Sequence, residues 1–340
     1  MIRKNTQYAI RSTHRPLFSL IIPAYNARDT LPACLKAVHA SDFQDWELIV
    51  VDDGSTDGSA ELAAGFGARV VETGGRAGPA HARNLGAAAA NGRYLFFLDA
   101  DCQLHPDTLG RAAGHWQDDP ALDALFGSYD DAPAAPNFIS QYKNLFHHYI
   151  HQTSREEAVT FWAGCGAIRR ERFRELGGFD AARYPRPAIE DIELGYRLAA
   201  AGGRIRLAKD VQVTHLKRWT LASLLRSDIC DRALPWSQLL HGATAAPADL
   251  NLQGKHRLSG AAALVLFFAL WGVKWRRGTA VAAFLSAAAL FWLNRDLYQF
   301  FRRKRGWFFA LRAVPLHWLY YFYGTAVYLL APIAPNSACR

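Results

Sequence analysis

Short apolar segments alternate with helix-like patterns through the N-terminal third of the chain. The apolar segments cover residues 18–22, 46–51, 70–71 and 94–98, and the helical patterns between them cover residues 30–39, 59–64 and 79–90. Strands that are apolar on both faces and separated by helices are typical of a parallel sheet covered on both sides. The pattern therefore predicts an α/β fold.

Polar residues follow three of the predicted strands at the point where each strand ends. They lie in residues 23–26, 52–55 and 99–101. In sheets of this type, ligands bind at the carboxyl ends of the strands. We therefore expect these three segments to line one binding site.

The pattern weakens between about residues 130 and 178 and resumes with a helical segment at residues 189–200. A further amphipathic segment at residues 221–240 suits a helix that lies in a membrane interface. The alternative is an ordinary surface helix packed on the domain.

Three apolar segments follow, at residues 258–273, 278–293 and 313–334. A membrane span needs about 20 apolar residues, so the third segment is the one that is comfortably long. The first two are predicted to form a tight hairpin that is either thin and tilted or re-entrant. Buried helices of a soluble domain are the alternative.

Charge and composition place the C-terminal third at a membrane. The net charge is +9, and much of the excess lies in basic residues that flank the apolar segments after residue 254. Such residues indicate anionic lipid headgroups rather than nucleic acid. Residues 1–17 are a polar tail without the apolar core of a secretory signal. We therefore expect a catalytic part that faces the cytoplasm, anchored to the cytoplasmic membrane of a bacterium.

Asp99 and Asp101 directly follow an apolar strand. Two carboxylates at such a place suit a hard divalent cation, Mg²⁺ or Mn²⁺, that also binds substrate phosphates. The pair alone is also compatible with a solvated turn. Neither a GxGxxG motif nor a GxxxxGK motif followed by Ser or Thr is present, which argues against a dinucleotide-binding oxidoreductase and against a P-loop enzyme.

Several short motifs occur in a fixed order between residues 18 and 219. They are SLIIPAYN at 19–26, VDDGSTD at 51–57, ARNLG at 82–86, DAD at 99–101, GGFD at 177–180 and EDIEL at 190–194. In this order they resemble the signatures of family 2 glycosyltransferases with the GT-A fold. The resemblance implies a nucleotide-diphospho-sugar transferase with a Rossmann-like mixed sheet.

The resemblance also implies a donor site for a nucleotide diphosphate sugar. The residues carried over to it are Pro23, Tyr25, Asp53, Arg83, Asp99 and Asp101. The first two would line the nucleobase pocket, and the next two would read the base. Asp99 would contact the ribose or the metal, and Asp101 would hold Mn²⁺ or Mg²⁺ on the diphosphate.

On the acceptor side, the resemblance assigns the catalytic step to Asp191. An acceptor hydroxyl is a poor nucleophile, so a carboxylate that removes its proton on the face opposite the leaving group gives inversion. Its neighbour Glu190, together with Gly164 and Cys165, is expected on the acceptor or diphosphate side. The alternative for Asp191 and Glu190 is that they only complement the helix dipole.

Residues 214–219, THLKRW, stand where polymerising relatives have a Gln-x-x-Arg-Trp motif. His215 replaces the glutamine, which argues against a processive polymerase. It is a candidate third metal ligand or diphosphate-binding residue, and a structural histidine is the alternative. Arg218 is expected to pair with phosphate, and Trp219 to support the acceptor sugar or the membrane interface.

The predicted order of regions is a tail at 1–17, a GT-A domain at 18–220, an interface helix and linker at 221–254, and membrane-associated helices at 255–340. The expected function is inverting, metal-dependent transfer of a sugar to a membrane-presented acceptor, such as a polyprenyl phosphate, another glycolipid or a glycan. A processive polysaccharide synthase and a non-catalytic nucleotide-sugar-binding membrane protein are the alternatives.

Overall fold

The computed structural model describes residues 15–242, 253–272 and 277–333. Its N-terminal part is built on one sheet. The strands are β1 (Phe18–Ala24), β2 (Trp46–Asp52), β3 (Arg69–Glu72), β4 (Tyr94–Leu98), β5 (Cys102–Leu104), β6 (Ala124–Tyr129), β7 (Glu157–Ala158), β8 (Cys165–Arg169) and β9 (Ile205–His215). Their order across the sheet is β3-β2-β1-β4-β8-β6-β9-β5, and β7 pairs with β9.

The sheet is mixed. β1 pairs in parallel with β2 and β4, and β2 pairs in parallel with β3, as the alternating pattern predicts. In the other half, β8 pairs antiparallel with β4 and β6, and β5 pairs antiparallel with β9. The first four strands therefore place their carboxyl ends at one edge, and β5 and β9 bring later segments of the chain to that edge.

Helices cover both faces of the sheet. They are α1 (Leu31–His39), α2 (Ser59–Gly65), α3 (Pro79–Ala89), α4 (Thr108–Asp118), α5 (Phe138–Thr153), α6 (Arg170–Glu175) and α7 (Glu190–Ala200). Strand side chains alternate between two cores, because successive residues of a strand point to opposite faces. In β1, Leu20 and Ile22 enter one core, whereas Ile21 enters the other.

Residues 221–241 form one continuous helical run with a wide turn in its middle. The run consists of α8 (Leu221–Arg226), a π-helix (Ser227–Ala233) and α9 (Leu234–His241). Leu224 and Leu240 are buried, so the run packs on the protein. Such packing is expected of an amphipathic surface helix, and contact of this run with a membrane interface stays a prediction.

Three further helices follow in the described part of the chain: α10 (Gly254–Gly272), α11 (Arg277–Leu293) and α12 (Arg295–Leu330). The predicted boundaries of the third segment were wrong. α12 begins at Arg295, is broken at Gly306, where φ is 84°, and ends at Leu330. The first part of α12 is rich in basic residues, so the apolar pattern did not indicate a helix there. Residues 334–340 lie outside the described residues.

Within the described residues, no single helix is long and apolar enough to cross a membrane. The helices Gly278–Leu293 and Arg295–Leu330, bent by 62° at their junction, meet the length and composition criteria only as a pair. Large apolar side chains are nevertheless exposed on α10, α11 and α12, among them Phe268, Trp271, Phe284 and Trp292.

The C-terminal helices share a hydrophobic core with the sheet domain. Tyr142 and Phe146 of α5, Trp219 after β9, and Phe301 of α12 are buried in one cluster. Removing α12 would expose these aromatic side chains. The two predicted regions are therefore packed as one body at this place, although a composition shift separates them in the sequence.

Candidate active site

A large cavity opens at the carboxyl edge of the parallel strands. Its volume is about 1990 Å³. Residues 23–27, Asp53 and residues 99–101 line one end, and the other end is formed by α9, α10 and α12. The strand-end segments that the sequence singled out therefore meet in one site, which extends to the C-terminal helices.

Pro23 and Tyr25 lie at the end of β1 and line the cavity. Tyr25 is 41% exposed, and the guanidinium carbon of Arg76 lies 4.3 Å from the centroid of its ring. An exposed aromatic ring stacked beside an arginine offers a flat surface to a planar ligand. This geometry suits the nucleobase pocket that the resemblance implies.

Asp53 is buried at the end of β2 and holds the loop before α3. Its carboxylate accepts hydrogen bonds from the backbone N–H groups of Ala77 at 2.7 Å and Gly78 at 2.9 Å. Gly78 has φ of 91°, and a Cβ there would lie 2.4 Å from the carbonyl oxygen of Pro185. Asp53 thus fixes a wall of the cavity, and its contact with a base stays a prediction.

Arg83 joins two carboxylates from distant parts of the chain. Its Nη2 donates to Oδ1 of Asp99 at 2.7 Å, and its Nη1 donates to Oε1 of Glu190 at 2.8 Å. The arginine and Glu190 are both buried. The structure therefore gives Arg83 different partners from the nucleobase that the resemblance implies. It ties the end of β4 to the start of α7.

Asp101 and His215 face each other across the junction of β4, β5 and β9. Nε2 of His215 lies 3.6 Å from Oδ2 of Asp101, and the imidazole stacks on Tyr129 with ring centroids 4.2 Å apart. Burial opposes ionisation, but His215 and Lys217 outweigh it and lower the pKa of Asp101. The carboxylate is thus held in its charged form.

The donor set at this junction fits a divalent cation shared with a diphosphate. Among residues 15–242, 253–272 and 277–333, no group of three or more metal-ligating side chains is preassembled. Asp101 supplies a carboxylate oxygen and His215 an imidazole nitrogen, whereas Asp99 is engaged by Arg83. Mg²⁺ and Mn²⁺ commonly take few protein ligands and complete their shell with phosphate oxygens and water.

Asp191 lies in the first turn of α7, beside the loop that precedes β8. Its Oδ2 accepts a hydrogen bond from the backbone N–H of Ala163 at 3.0 Å, and its side chain lines the cavity. Burial, together with the neighbouring charge of Glu190, raises the pKa of Asp191 to about 6. A carboxylate with such a pKa is a stronger base than ordinary aspartate and is still largely ionised at neutral pH.

Gly164 and Cys165, predicted together, lie in different places. Gly164 lines the cavity, and its carbonyl oxygen accepts a hydrogen bond from the N–H of Asp99 at 3.1 Å. Cys165 is fully buried in the sheet opposite Leu98, and burial raises the pKa of its thiol. Its assignment to the acceptor side was wrong, because strand alternation turns this side chain into the core.

Arg218 and Trp219 both line the cavity. Arg218 is exposed, whereas Trp219 is buried and donates its backbone N–H to Oγ of Ser140 at 2.7 Å. The ammonium of Lys217 lies 4.3 Å from the centroid of the Trp219 ring. Trp219 therefore anchors the segment after β9 to α5, and Arg218 is available to a ligand.

The match to a family model covers the segments after β1, β2 and β4 that line this cavity. Residues 19–177 match the family model described as "Glycosyl transferase family 2". These residues therefore form a family 2 glycosyltransferase domain. The match ends before Glu190, Asp191 and His215.

Curated relatives of the glycosyltransferase domain are bacterial. A PGL/p-HBAD biosynthesis glycosyltransferase of Mycobacterium tuberculosis is 37% identical over 118 residues, which are 33% of this chain and 46% of that protein. The putative teichuronic acid biosynthesis glycosyltransferase TuaG of Bacillus subtilis is 38% identical over 100 residues, 28% of this chain and 40% of TuaG. The chain thus spans less than half the length of these relatives.

Solved glycosyltransferase structures share the whole fold. The mannosyltransferase PcManGT of Pyrobaculum calidifontis, in complex with GDP-Man and Mn²⁺, matches with a TM-score of 0.56 and 20% identity over 94% of this chain and 87% of that chain. TarS 1-349 of S. aureus matches with a TM-score of 0.52 and 16% identity over 93% and 91% of the two chains. The GT-A fold, with a helical C-terminal region, is therefore confirmed.

Two histidines of α5, His147 and His151, line the cavity and pack against Trp162. The rings of His147 and His151 lie 4.9 Å and 5.7 Å from that of Trp162, and Nδ1 of His151 lies 3.0 Å from the carbonyl oxygen of Gly127. Burial lowers the pKa of both, so they are neutral.

Sequence reasoning did not assign several charged residues of the cavity to the site, and three of them lie on neighbouring helices. They are Lys143 on α5 and Asp228 and Arg232 on the π-helix. Lys143 and Asp228 form a buried ion pair, to which Tyr323 of α12 donates a hydrogen bond at 2.6 Å. No motif marks them. The sequence offered one signal for them: these charged residues occur in amphipathic helices beside apolar positions, where a charge is unusual.

Proposed function

We propose that this protein is a metal-dependent glycosyltransferase that moves a sugar, with inversion, from a nucleotide diphosphate sugar to an acceptor presented at a membrane. One observation carries the proposal: Asp101, which suits a diphosphate-bound cation, and Asp191, which suits a general base, line the same cavity. Two such carboxylates are what single-displacement sugar transfer requires on the leaving-group side and on the nucleophile side.

On the donor side, Pro23 and Tyr25 would bind the nucleobase, and Asp53 would keep the neighbouring loop in place. Asp101 and His215 would hold Mn²⁺ or Mg²⁺, which, when bound, offsets the negative charge that develops on the leaving diphosphate. Arg83 would fix Asp99 beside this site. Arg218 is free to contact phosphate oxygens.

On the acceptor side, Asp191 would accept the proton of the attacking hydroxyl. The N–H of Ala163 orients one oxygen of its carboxylate, and burial strengthens it as a base. Glu190 cannot take this role as readily, because its carboxylate is paired with Arg83. Asp191, the proposed base, and Glu190, which pairs with Arg83 at the start of α7, are therefore adjacent in the sequence but have different roles.

The acceptor is proposed to be a membrane lipid, either a glycolipid, whose hydroxyl Asp191 would deprotonate, or a polyprenyl phosphate, whose ionised oxygen attacks without losing a proton. Exposed aromatic and aliphatic side chains on α10, α11 and α12 support this proposal, since unpaired apolar surface of this kind suits a bilayer. Arg295 and Arg302 stack on the exposed Trp292 and Trp307, an arrangement suited to the lipid headgroup region. The proposed site of action is the cytoplasmic face of a bacterial membrane.

A donor screen tests the proposal. Full-length protein in detergent would be offered a panel of UDP- and GDP-sugars, because neighbouring structures contain GDP-Man and UDP-GlcNAc, and release of free nucleotide diphosphate would be measured. We expect release with at least one donor by the wild type and much less by Asp191→Asn. Tight donor binding with no release in the presence of membrane lipid extract would instead indicate a non-catalytic binding protein.

We expect a chelator to abolish turnover. Asp101 and a diphosphate are both anionic, so they repel each other unless a cation lies between them. Activity would be assayed in excess EDTA and after addition of Mn²⁺ or Mg²⁺, which should restore it. Asp101→Asn should raise the metal concentration needed for half-maximal activity. Full activity in excess EDTA would contradict the assignment of Asp101.

We expect kcat/KM to fall as the pH drops through about 6. The pKa of Asp191 is raised to about 6, so the base is ionised above this value and protonated below it. A pH–rate profile between about pH 5 and 8 should therefore show an acidic limb near 6 that is absent from the residual activity of Asp191→Asn. A wild-type profile that stays flat down to the ordinary pKa of aspartate would argue against Asp191 as the base.

A further inference from the structure

Arg232 lies in the middle of the cavity wall and is not used by the proposed transfer mechanism. It belongs to the π-helix Ser227–Ala233, and its exposed side chain lines the cavity. In the described part of the chain, its guanidinium forms neither a hydrogen bond nor a salt bridge. Short π-helical turns within α-helices are frequent at functional sites.

The π-helix explains why Arg232 has no carboxylate partner. In an α-helix, residues four apart lie on the same face, and Asp228 and Arg232 would be placed to form an ion pair. The wider turn changes this register. Asp228 instead pairs with Lys143 and accepts the hydrogen bond from Tyr323. The carboxylate of Asp228 is therefore engaged by other partners, and the guanidinium of Arg232 lines the cavity without a carboxylate partner.

Arg232 lies on the acceptor side of the cavity. It lies in the π-helix directly before α9, one of the helices at the end of the cavity opposite residues 99–101, and its positive charge acts on Asp191. The donor end has cations of its own, because Lys217 acts on Asp101. Arg232 is therefore placed to meet an anionic group of the acceptor rather than the diphosphate of the donor.

Beyond Arg232, the cavity continues between α9, α10 and α12, where apolar side chains line it together with His256 and Arg257. Leu240, Leu264, Tyr328 and Leu329 line this branch. Leu329 is 60% exposed near the end of α12, so the branch reaches the surface that carries the exposed apolar side chains. A cation next to an apolar channel is complementary to an amphiphile with an anionic head and a hydrocarbon tail.

We propose that Arg232 binds a phosphate group of the acceptor, which lies between the hydroxyl that Asp191 deprotonates and an apolar tail held between α9, α10 and α12. This inference rests on the proposed function and narrows it. The acceptor is a sugar joined to a lipid through a phosphate, rather than a neutral glycolipid or a soluble glycan.

Binding measurements on the full-length protein in detergent test this inference. The probes are farnesyl phosphate, farnesol, UDP and GDP. We expect the wild type to bind farnesyl phosphate more tightly than farnesol, and Arg232→Gln to weaken farnesyl phosphate at least about tenfold, the range of a charge-assisted hydrogen bond. Arg232→Lys should retain part of the affinity. Binding of farnesol, UDP and GDP should not change.

Arg174→Gln is the matched control, since it removes the same charge from an exposed position on α6 outside the cavity. It should leave all four affinities unchanged. Equal weakening of UDP or GDP by Arg232→Gln would assign Arg232 to the donor, and equal weakening of farnesol would show only an altered channel. Either result overturns the inference. Because no assay here depends on sugar transfer, failure of this inference is distinguishable from failure of the proposed function.

Discussion

We expect Asp191→Asn to lower the rate of sugar transfer at least about a hundredfold while donor affinity stays within a few-fold of the wild type. General base catalysis contributes about two to four orders of magnitude, and the amide cannot accept the proton. Asparagine has the same size and can still accept the hydrogen bond from the N–H of Ala163. Comparison of kcat with the dissociation constant of the nucleotide separates the two effects.

Two further variants make the experiment decisive. Asp180→Asn removes a charge from an exposed carboxylate that accepts a hydrogen bond from the N–H of Arg183, and it should be neutral. Glu190→Gln should lower transfer less than Asp191→Asn, because Glu190 positions Arg83 and does not take the proton. Normal transfer by Asp191→Asn with loss in Glu190→Gln would mean that the base was misassigned by one position.

If both Asp191→Asn and Glu190→Gln remain active, transfer does not need a base from this motif. The acceptor would then be an ionised phosphate, which attacks without losing a proton. That result would favour a polyprenyl phosphate as the acceptor, and Arg232 would contact the nucleophile itself.

Local sequence patterns predicted the parts of the candidate site that lie at the ends of strands. β1, β2 and β4 are recognisable in the sequence as short runs of mostly apolar residues. Tyr25, Asp53 and Asp101 stand within three residues of the ends of these strands. Once strands are parallel and adjacent, their ends must meet. Asp191 was assigned from the family resemblance; the structure places it in the first turn of α7, where it lines the cavity, and its role as the base stays a prediction.

Contacts between distant segments were not readable from the sequence. Arg83 and Glu190 are 107 positions apart, and their ion pair depends on how α3 and α7 pack on the sheet. The orientation of Cys165 depends on the phase of β8, which five residues do not reveal. The π-helix depends on local packing of α8 and α9 against α5 and α12, so Arg232 could not be assigned to the cavity from its spacing.

The prediction with the largest effect on stability concerns Arg83. It is buried between Asp99 and Glu190, and its removal would leave the buried carboxylate of Glu190 and the partly buried carboxylate of Asp99 without a cation. Burial already raises the pKa of Asp99 even with the guanidinium beside it, which shows how costly the ionised carboxylate is at this place. Breaking a buried ion pair of this kind costs about 3–5 kcal/mol.

We therefore expect Arg83→Met, which keeps much of the side-chain volume, to lower the free energy of unfolding by about 3–5 kcal/mol in urea denaturation of the full-length protein. Arg174→Met, at an exposed position on α6, should change it by less than about 0.5 kcal/mol. The triple variant Arg83→Met, Asp99→Asn and Glu190→Gln should regain a large part of the loss, because no uncompensated charge remains buried.

If Arg83→Met is as stable as Arg174→Met, the guanidinium does not bridge the two carboxylates in solution and is free for the nucleobase contact that the family resemblance implies. If the triple variant is no more stable than Arg83→Met alone, the loss comes from packing rather than from charge, and the coupling of β4 to α7 through this ion triad must be abandoned.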